Sequence, residues 1–162
     1  MVRHSEKDGF EQPMTVLVTG ATGLIGTRLI PRLMESGLKC RALVRSGKEG
    51  PPGATTFTAD LLSPNSLVAA VQGVSAVIHL AAVFRTRDDD LIWKSNLQGT
   101  VNLIYAVKNH APQARFLMAS TAHVYDSDSP RPGHEDDIVD PKLAYPASKF
   151  AAEEVVRESG LL

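Results

Sequence analysis

Apolar positions change period repeatedly along the chain, and each change marks an element. Val16 to Thr19 is a short β-branched and apolar run that ends in glycines at Gly20, Gly23 and Gly26. Around and beyond them the spacing turns helical, with Leu24, Ile25, Leu29, Ile30 and Leu33 recurring on one side. This predicts a strand, a tight turn and a helix, stopped at Gly37. Leu38 to Val44 reads as a second strand, followed by a loop from Ser46 to Gly53 rich in glycine and proline. Thr55 to Ala59 is a third strand ending at Asp60, and a helix over Ser66 to Gln72 can be capped by Ser63 or Asn65. Ala76 to Ala81 is an apolar run suited to burial on both faces of a sheet. Asp88, Asp89 and Asp90 complement the N-terminus of a helix running roughly from Leu91 to Asn109. That helix repeats Trp93, Leu97, Val101, Ile104 and Val107 at helical spacing, and Pro112 follows its end. Arg115 to Ser120 is a fifth strand, Tyr125 to Leu143 a polar loop, and Tyr145 to Glu158 a last helix. Strands that alternate with helices imply a parallel sheet with right-handed crossovers.

Composition narrows the class. With 162 residues, 43% apolar and 22% charged, the chain suits one globular domain over 14–162. Met1 to Pro13, polar and without periodicity, reads as a flexible leader. A net charge of −1 gives no electrostatic case for nucleic acid or an anionic membrane as partner, and no apolar run reaches membrane-span length. The single cysteine, Cys40, allows no internal disulfide and suits a reducing, cytoplasmic setting. No zinc-type Cys/His spacing is present, and no metal is expected; the acidic stretch His134 to Asp137 reads as solvated surface. His123 reads as a loop histidine, and Glu153 and Glu154 as exposed helix residues.

The candidate chemistry begins at the glycine turn. Gly20 permits a sharp exit from the strand, Gly23 removes a side chain that would block a diphosphate, and Gly26 lets helix and strand pack closely. The spacing is GxxGxxG, one residue longer in its first gap than GxGxxG. At the second strand's end, where an acidic residue would bond the ribose hydroxyls of NAD, the chain reads Leu43-Val44-Arg45-Ser46. A guanidinium there can fork onto a 2′-phosphate, so NADP is favoured over NAD. A solvated arginine at a loop start is the alternative.

Five blocks in order, Thr19-Gly-Ala-Thr-Gly-Leu-Ile-Gly26, Ala59-Asp60-Leu61, His79-Leu-Ala-Ala82, Asn96-Leu-Gln-Gly-Thr100 and Tyr145-Pro-Ala-Ser-Lys149, resemble the extended short-chain dehydrogenase/reductase family. This is the NAD(P)-dependent epimerase/dehydratase group, and the likeness runs from Met14 to Leu162, its cofactor-binding part. The resemblance implies a three-layer Rossmann α/β fold with about five parallel strands in the order 3-2-1-4-5 and helices on both faces. It also implies that the C-terminal substrate region of the family is missing. The cofactor would lie on Gly20, Thr22, Gly23, Leu24, Ile25 and Gly26. Asp60 and Leu61 would sit beside the adenine, and Leu80, Ala81 and Ala82 along the diphosphate and nicotinamide ribose. Arg45, Ser120, Tyr145 and Lys149 complete the set. Asn96 resembles the family's helix asparagine, which bends its helix and holds a water near the lysine.

Tyr145 and Lys149 fall one helical turn apart on one face. An ammonium near a phenol favours the phenolate, and the resemblance makes Tyr145 the acid/base of a hydride transfer at a hydroxyl or carbonyl carbon. Thr121 matches the hydroxyl that polarises the substrate oxygen, while Asp126 stands where the family has glycine. Two functions stay open: an NAD(P)-dependent oxidoreductase or epimerase/dehydratase acting on a small molecule, and a dinucleotide-binding module or fragment without turnover. An exposed edge at the fifth strand, or the last two long helices, would support a homodimer.

Overall fold

The computed structural model describes residues 14–125, 131 and 133–161. The leader expected over 1–13, part of the 125–143 loop and residue 162 lie outside the described residues. In chain order the elements are β1 (Thr15–Thr19), α1 (Gly26–Glu35), β2 (Lys39–Val44), β3 (Thr55–Thr58), α2 (Pro64–Val71) and β4 (Ala76–His79). Next come α3 (Asp89–Trp93), a π-helical turn over Lys94–Gln98, α4 (Gly99–His110), β5 (Arg115–Met118), a 3₁₀ turn over Ala122–Val124 and α5 (Ala144–Ser159).

All four strand pairings are parallel, in the order β3-β2-β1-β4-β5. β1 shows why both faces of the sheet are covered. Alternation sends Leu17 to one side, among Leu43, Leu67, Val77, Leu103, Phe116 and Val156. Val16 and Val18 go to the other, among Ile30, Cys40, Ala42 and Val44. The first cluster is closed by α2, α4 and α5 and the second by α1, giving the three layers implied by the blocks. Among the described residues no helix is long and apolar enough to cross a membrane.

Helix signals read from the sequence work through identifiable bonds. At the end of α1, Gly37 takes φ +83°; its N–H reaches the Met34 carbonyl at 2.9 Å, and the Leu38 N–H reaches that of Leu33 at 3.1 Å. Asp88 caps α3, its carboxylate accepting from the Leu91 N–H at 2.9 Å. Ser63 stands at the N-cap of α2 but makes no side-chain capping bond; the Ser66 hydroxyl instead donates to the Ser63 carbonyl at 2.7 Å and accepts from the Asp60 N–H at 3.0 Å.

Several expectations need correction. Leu24 and Ile25 precede α1 and are 74% and 59% exposed, so they belong to the turn and not to the helix's buried stripe. β4 and β5 stop at His79 and Met118, two residues short of the predicted ends, where their pairing ladders end. In β4 only Val77 and His79 are fully buried, with Ala76 and Ile78 partly covered. The helix expected over 91–109 is interrupted by the π turn, whose extra residue rotates everything before it. Ile92, Asn96, Thr100, Leu103 and Val107 therefore face inward, whereas Trp93 is 38% exposed. The open side of β5 is partly taken up: the chain returns after α5 and the Leu161 carbonyl accepts from the Phe116 N–H at 2.8 Å.

The rotated face gives a stability contrast. Ile92→Ala is expected to cost about 2–5 kcal/mol as a core truncation, and Trp93→Ala less, because its side chain stays partly in water. Urea unfolding followed by circular dichroism measures both; equal costs would contradict the register set by the π turn.

Candidate active site

The C-terminal ends of the strands carry nearly every residue singled out above. Order 3-2-1-4-5 places the topological switch between β1 and β4, where a crevice opens. Gly20 turns there with φ +66°, and a Cβ on it would lie 2.8 Å from the Ala81 nitrogen and 2.9 Å from the Leu80 carbonyl carbon. Gly26 is pressed as closely, its would-be Cβ 2.4 Å from the Gly20 carbonyl oxygen. Gly23 differs: its would-be Cβ meets only the Gly20 oxygen, at 3.2 Å, and otherwise points into open space. A bare backbone there, ahead of an α1 N-terminus with no side-chain cap, fits a diphosphate. Thr22, Gly23, Leu24 and Ile25 are all exposed on this turn.

Arg45 and Asp60, from the ends of β2 and β3, line one cavity of about 480 Å³ with Ser46, Lys48, Ser63 and Ser66. Asp60 is tied into its own loop, Oδ1 accepting from the Leu62 N–H at 2.9 Å. Lys48 adds a second cation that the sequence reading missed; it lies three residues beyond Arg45, in a stretch read only as loop.

The β1–β4 junction is held by buried polar groups. His79 is fully buried, with Nδ1 2.6 Å from Thr19 Oγ1 and Nε2 3.0 Å from Thr100 Oγ1. Thr100 Oγ1 donates to the Asn96 carbonyl at 2.6 Å. A hydroxyl has one proton, so Thr100 must accept from His79, which fixes the proton on Nε2. Nδ1 then accepts from Thr19, whose oxygen accepts in turn from the Ala81 N–H at 3.2 Å. Burial, aided by the Lys149 charge, pushes the His79 imidazole down to about 3, so it is neutral.

Asn96, in the π turn, clamps the backbone beyond β4. Its Oδ1 accepts from the Val83 N–H at 2.8 Å, and its Nδ2 donates to the Val83 carbonyl at 2.9 Å and to Ser148 Oγ at 3.0 Å. The Ser148 hydroxyl donates to the Tyr145 carbonyl at 2.8 Å. The asparagine side chain thus spends its bonds on residue 83 and on α5.

Tyr145 lies in the first turn of α5, half-buried, its ring 5.6 Å from that of Phe84 and tilted by 45°. Lys149, one turn on, is only 2% exposed. Burial lowers its ammonium to about 8, and the Glu153 carboxylate opposes that shift. Thr121 follows β5 and accepts from the His123 N–H at 3.2 Å, capping the 3₁₀ turn. Ser120 is bonded to the carboxylate of Glu153. Both hydroxyl residues line a cavity of about 760 Å³ with Met118, Tyr125, Phe150 and Glu153. Glu153 is therefore half-buried and engaged, correcting its reading as an exposed helix residue. Its place four residues after Lys149 was the available signal. Glu154, also half-buried, pairs with Arg157. Among the described residues no group of three or more His, Cys, Asp or Glu could hold a metal ion.

A doubly wound α/β domain with a glycine cradle at its switch point and a Tyr–Lys pair on α5 is a dinucleotide-binding domain of the Rossmann type. The chain belongs to the NAD dependent epimerase/dehydratase family, whose model matches residues 16–160. It is 33% identical over 129 residues to a dihydroflavonol 4-reductase of Zea mays, covering 70% of this chain and 36% of that protein. Among solved structures it resembles a short-chain dehydrogenase/reductase superfamily protein from Agrobacterium tumefaciens with bound NAD, at TM-score 0.77 and 32% identity over 89% of this chain and 44% of that one. The UDP-glucose 4-epimerase of Thermus thermophilus in complex with NAD is similar at TM-score 0.81 and 29% identity, over 91% and 51% of the two chains. The chain spans between about a third and a half of the length of these relatives.

Two pH responses follow from the buried bases. An imidazole in the unfolded chain takes up a proton near 6.5 and His79 in the folded one only near 3. Between these values the unfolded state binds the extra proton, so stability falls with falling pH, by up to about 1.4 kcal/mol per unit. Urea titrations from pH 7 to 5 measure this, and a flat profile would contradict it. For Lys149, NMR of labelled lysine should give a midpoint near 8, moving lower in Glu153→Gln, which removes the supporting carboxylate. An ordinary lysine midpoint would sink the assignment.

Proposed function

We propose that the chain is the cofactor-binding and proton-transferring part of an NADP-linked oxidoreductase or epimerase/dehydratase acting on a hydroxyl or carbonyl carbon. The observation that carries this reading is Lys149, a lysine 2% exposed and one turn from Tyr145, whose ammonium is lowered to about 8. Burying a cation is costly, and a buried lysine lowered this far, yet still charged at neutral pH, is a candidate for a working site.

The residues present fit the dinucleotide. Gly20, Gly23 and Gly26 would take the diphosphate, Leu80, Ala81 and Ala82 the nicotinamide side, and Asp60 and Leu61 the adenine end. Arg45 and Lys48 line the cavity where a 2′-phosphate would sit, which supports NADP; the two structural relatives above carry NAD. When bound, the nicotinamide supplies or accepts hydride. Tyr145 would give or take the proton at its phenol oxygen, and the Lys149 ammonium would favour the phenolate. Thr121 has one lone pair occupied by the His123 N–H, which leaves its proton to donate to a substrate oxygen. Phe84, packed on Tyr145, would shield the phenol and border the substrate. The relatives' names divide between a reductase of a dihydroflavonol and an epimerase of UDP-glucose, so both compounds are natural probes. Exposed Leu91, Trp93 and Tyr105 on α3 and α4, the two parts of the first of the last two long helices, support a homodimer through those helices.

Fluorescence titration with NADPH and with NADH tests the cofactor reading. NADPH is expected to bind more tightly, and Arg45→Ala to weaken NADPH by about tenfold or more with NADH little changed, the loss of a charge-assisted bond. Equal affinity for both would overturn the NADP preference. Tyr145→Phe should leave binding intact and lower turnover of a reactive probe by about 10²–10⁴. Binding without turnover of either probe would favour the dinucleotide-binding module.

A further inference from the structure

The buried polar groups at the β1–β4 junction do more than fill the core. We propose that His79 and Thr100 are positioning residues: a hydrogen-bond run from Ala81 through Thr19, His79 and Thr100 to Asn96 couples the crevice ends of β1 and β4 to α5 and so aligns Lys149. This rests on the dinucleotide reading above for its functional meaning, although the coupling itself is a property of the free chain.

Every bond in the run has one allowed direction. The Ala81 N–H donates to Thr19 Oγ1, Thr19 donates to His79 Nδ1, His79 Nε2–H donates to Thr100, and Thr100 donates to the Asn96 carbonyl. From the same asparagine the side chain holds both backbone groups of Val83 and the hydroxyl of Ser148, which bonds back to Tyr145. Thr19, His79 and Thr100 are each 0% exposed, and Asn96 and Ser148 at most 1%. With so little water available, a broken link leaves its neighbours unpaired.

The run solves a geometric problem at the switch point. Past Thr19 and His79 the two strands part, the last backbone link between them being Leu80 N–H to the Thr19 carbonyl at 3.3 Å. The Ala81 N–H then has no ladder partner and takes the Thr19 hydroxyl. Residues 80–83 are half-buried and stand on the crevice; they are gripped at Ala81 by Thr19 and at Val83 by Asn96. A hydrophobic trio at 19, 79 and 100 would pack a sheet as well, but it would leave the Ala81 N–H without a partner and the Asn96 backbone without its tie to the strands.

Amide hydrogen exchange on Thr100→Val tests the coupling. This near-isosteric change touches neither Ala81 nor Val83. Both amides are expected to exchange about tenfold faster, while Val18 and Val77 keep their protection; Thr100→Ser should restore the wild-type pattern. Unchanged exchange at Ala81 and Val83, or a uniform rise through the sheet, would overturn the proposal. The wild-type ring gives a second reading independent of the variant's folding: ¹⁵N NMR should show a neutral Nε2–H imidazole, and an Nδ1–H tautomer would contradict the run. NADPH affinity is then expected to fall about tenfold in Thr100→Val, and an unchanged value would overturn the alignment of the site. If wild-type chain bound neither NADPH nor NADH, the dinucleotide reading would fail while the exchange and tautomer results still decided the coupling.

Discussion

Contact between bare backbones at the end of β1 governs how the site is laid out. Gly20 lies against Leu80 and Ala81, and Gly26 against Gly20 and Ala21, at separations no Cβ could enter. These approaches bring the start of α1 over the sheet's crevice and set the distance between the first and fourth strands where they part. They also leave polar groups stranded beneath the turn, since diverging strands no longer satisfy one another. The buried hydroxyls and imidazole at 19, 79 and 100 answer that need, and their cost in desolvation is offset only because each has its full set of partners.

Two opposing electrostatic effects meet at α5. Removing Lys149 from water lowers its ammonium toward neutrality, while Glu153, one turn further along, works in the other direction. The lowered value shows that burial wins. Glu153 is also drawn to Ser120 at the end of β5, so the carboxylate that supports the lysine also anchors α5 to the sheet. Burial together with the Lys149 charge keeps His79 neutral. A neutral imidazole can act as both donor and acceptor in the run; a protonated one would have two donors and could not accept from Thr19.

The alternation of strands and helices, the glycine turn and the helix carrying Tyr145 and Lys149 were legible because local signals and the fold agree at those places, whereas the sheet order followed only from the resemblance to a family. Gly37, for example, ends α1 with the bonds its position implies. The partners of the buried groups were not legible. His79 stood inside a recognised block, yet nothing local pairs it with Thr19, 60 residues earlier, or Thr100, 21 residues later. Ser148 and Glu153 were hidden in the same way, as ordinary members of a helix whose partners, Asn96 and Ser120, come from distant segments. Lys48 fell in a stretch that composition describes only as loop. Strand ends were overextended because apolar content persists past the point where the ladder stops.

The π turn explains both the misread helix face and the placement of the asparagine. In an uninterrupted α-helix, successive residues advance by about 100°, so positions eight apart drift well off a common line. Ile92, Asn96 and Thr100 are spaced by four and four, and all three are buried. The extra residue within Lys94–Gln98 absorbs the drift. Thr100 can then bond the Asn96 carbonyl while the asparagine's side chain turns to Val83 and Ser148. A regular helix would keep Trp93 and Leu97 inward, as periodicity suggests, and would carry the amide off this line. One residue of irregularity thus exchanges an apolar stripe for the clamp on which residue 83 and α5 depend.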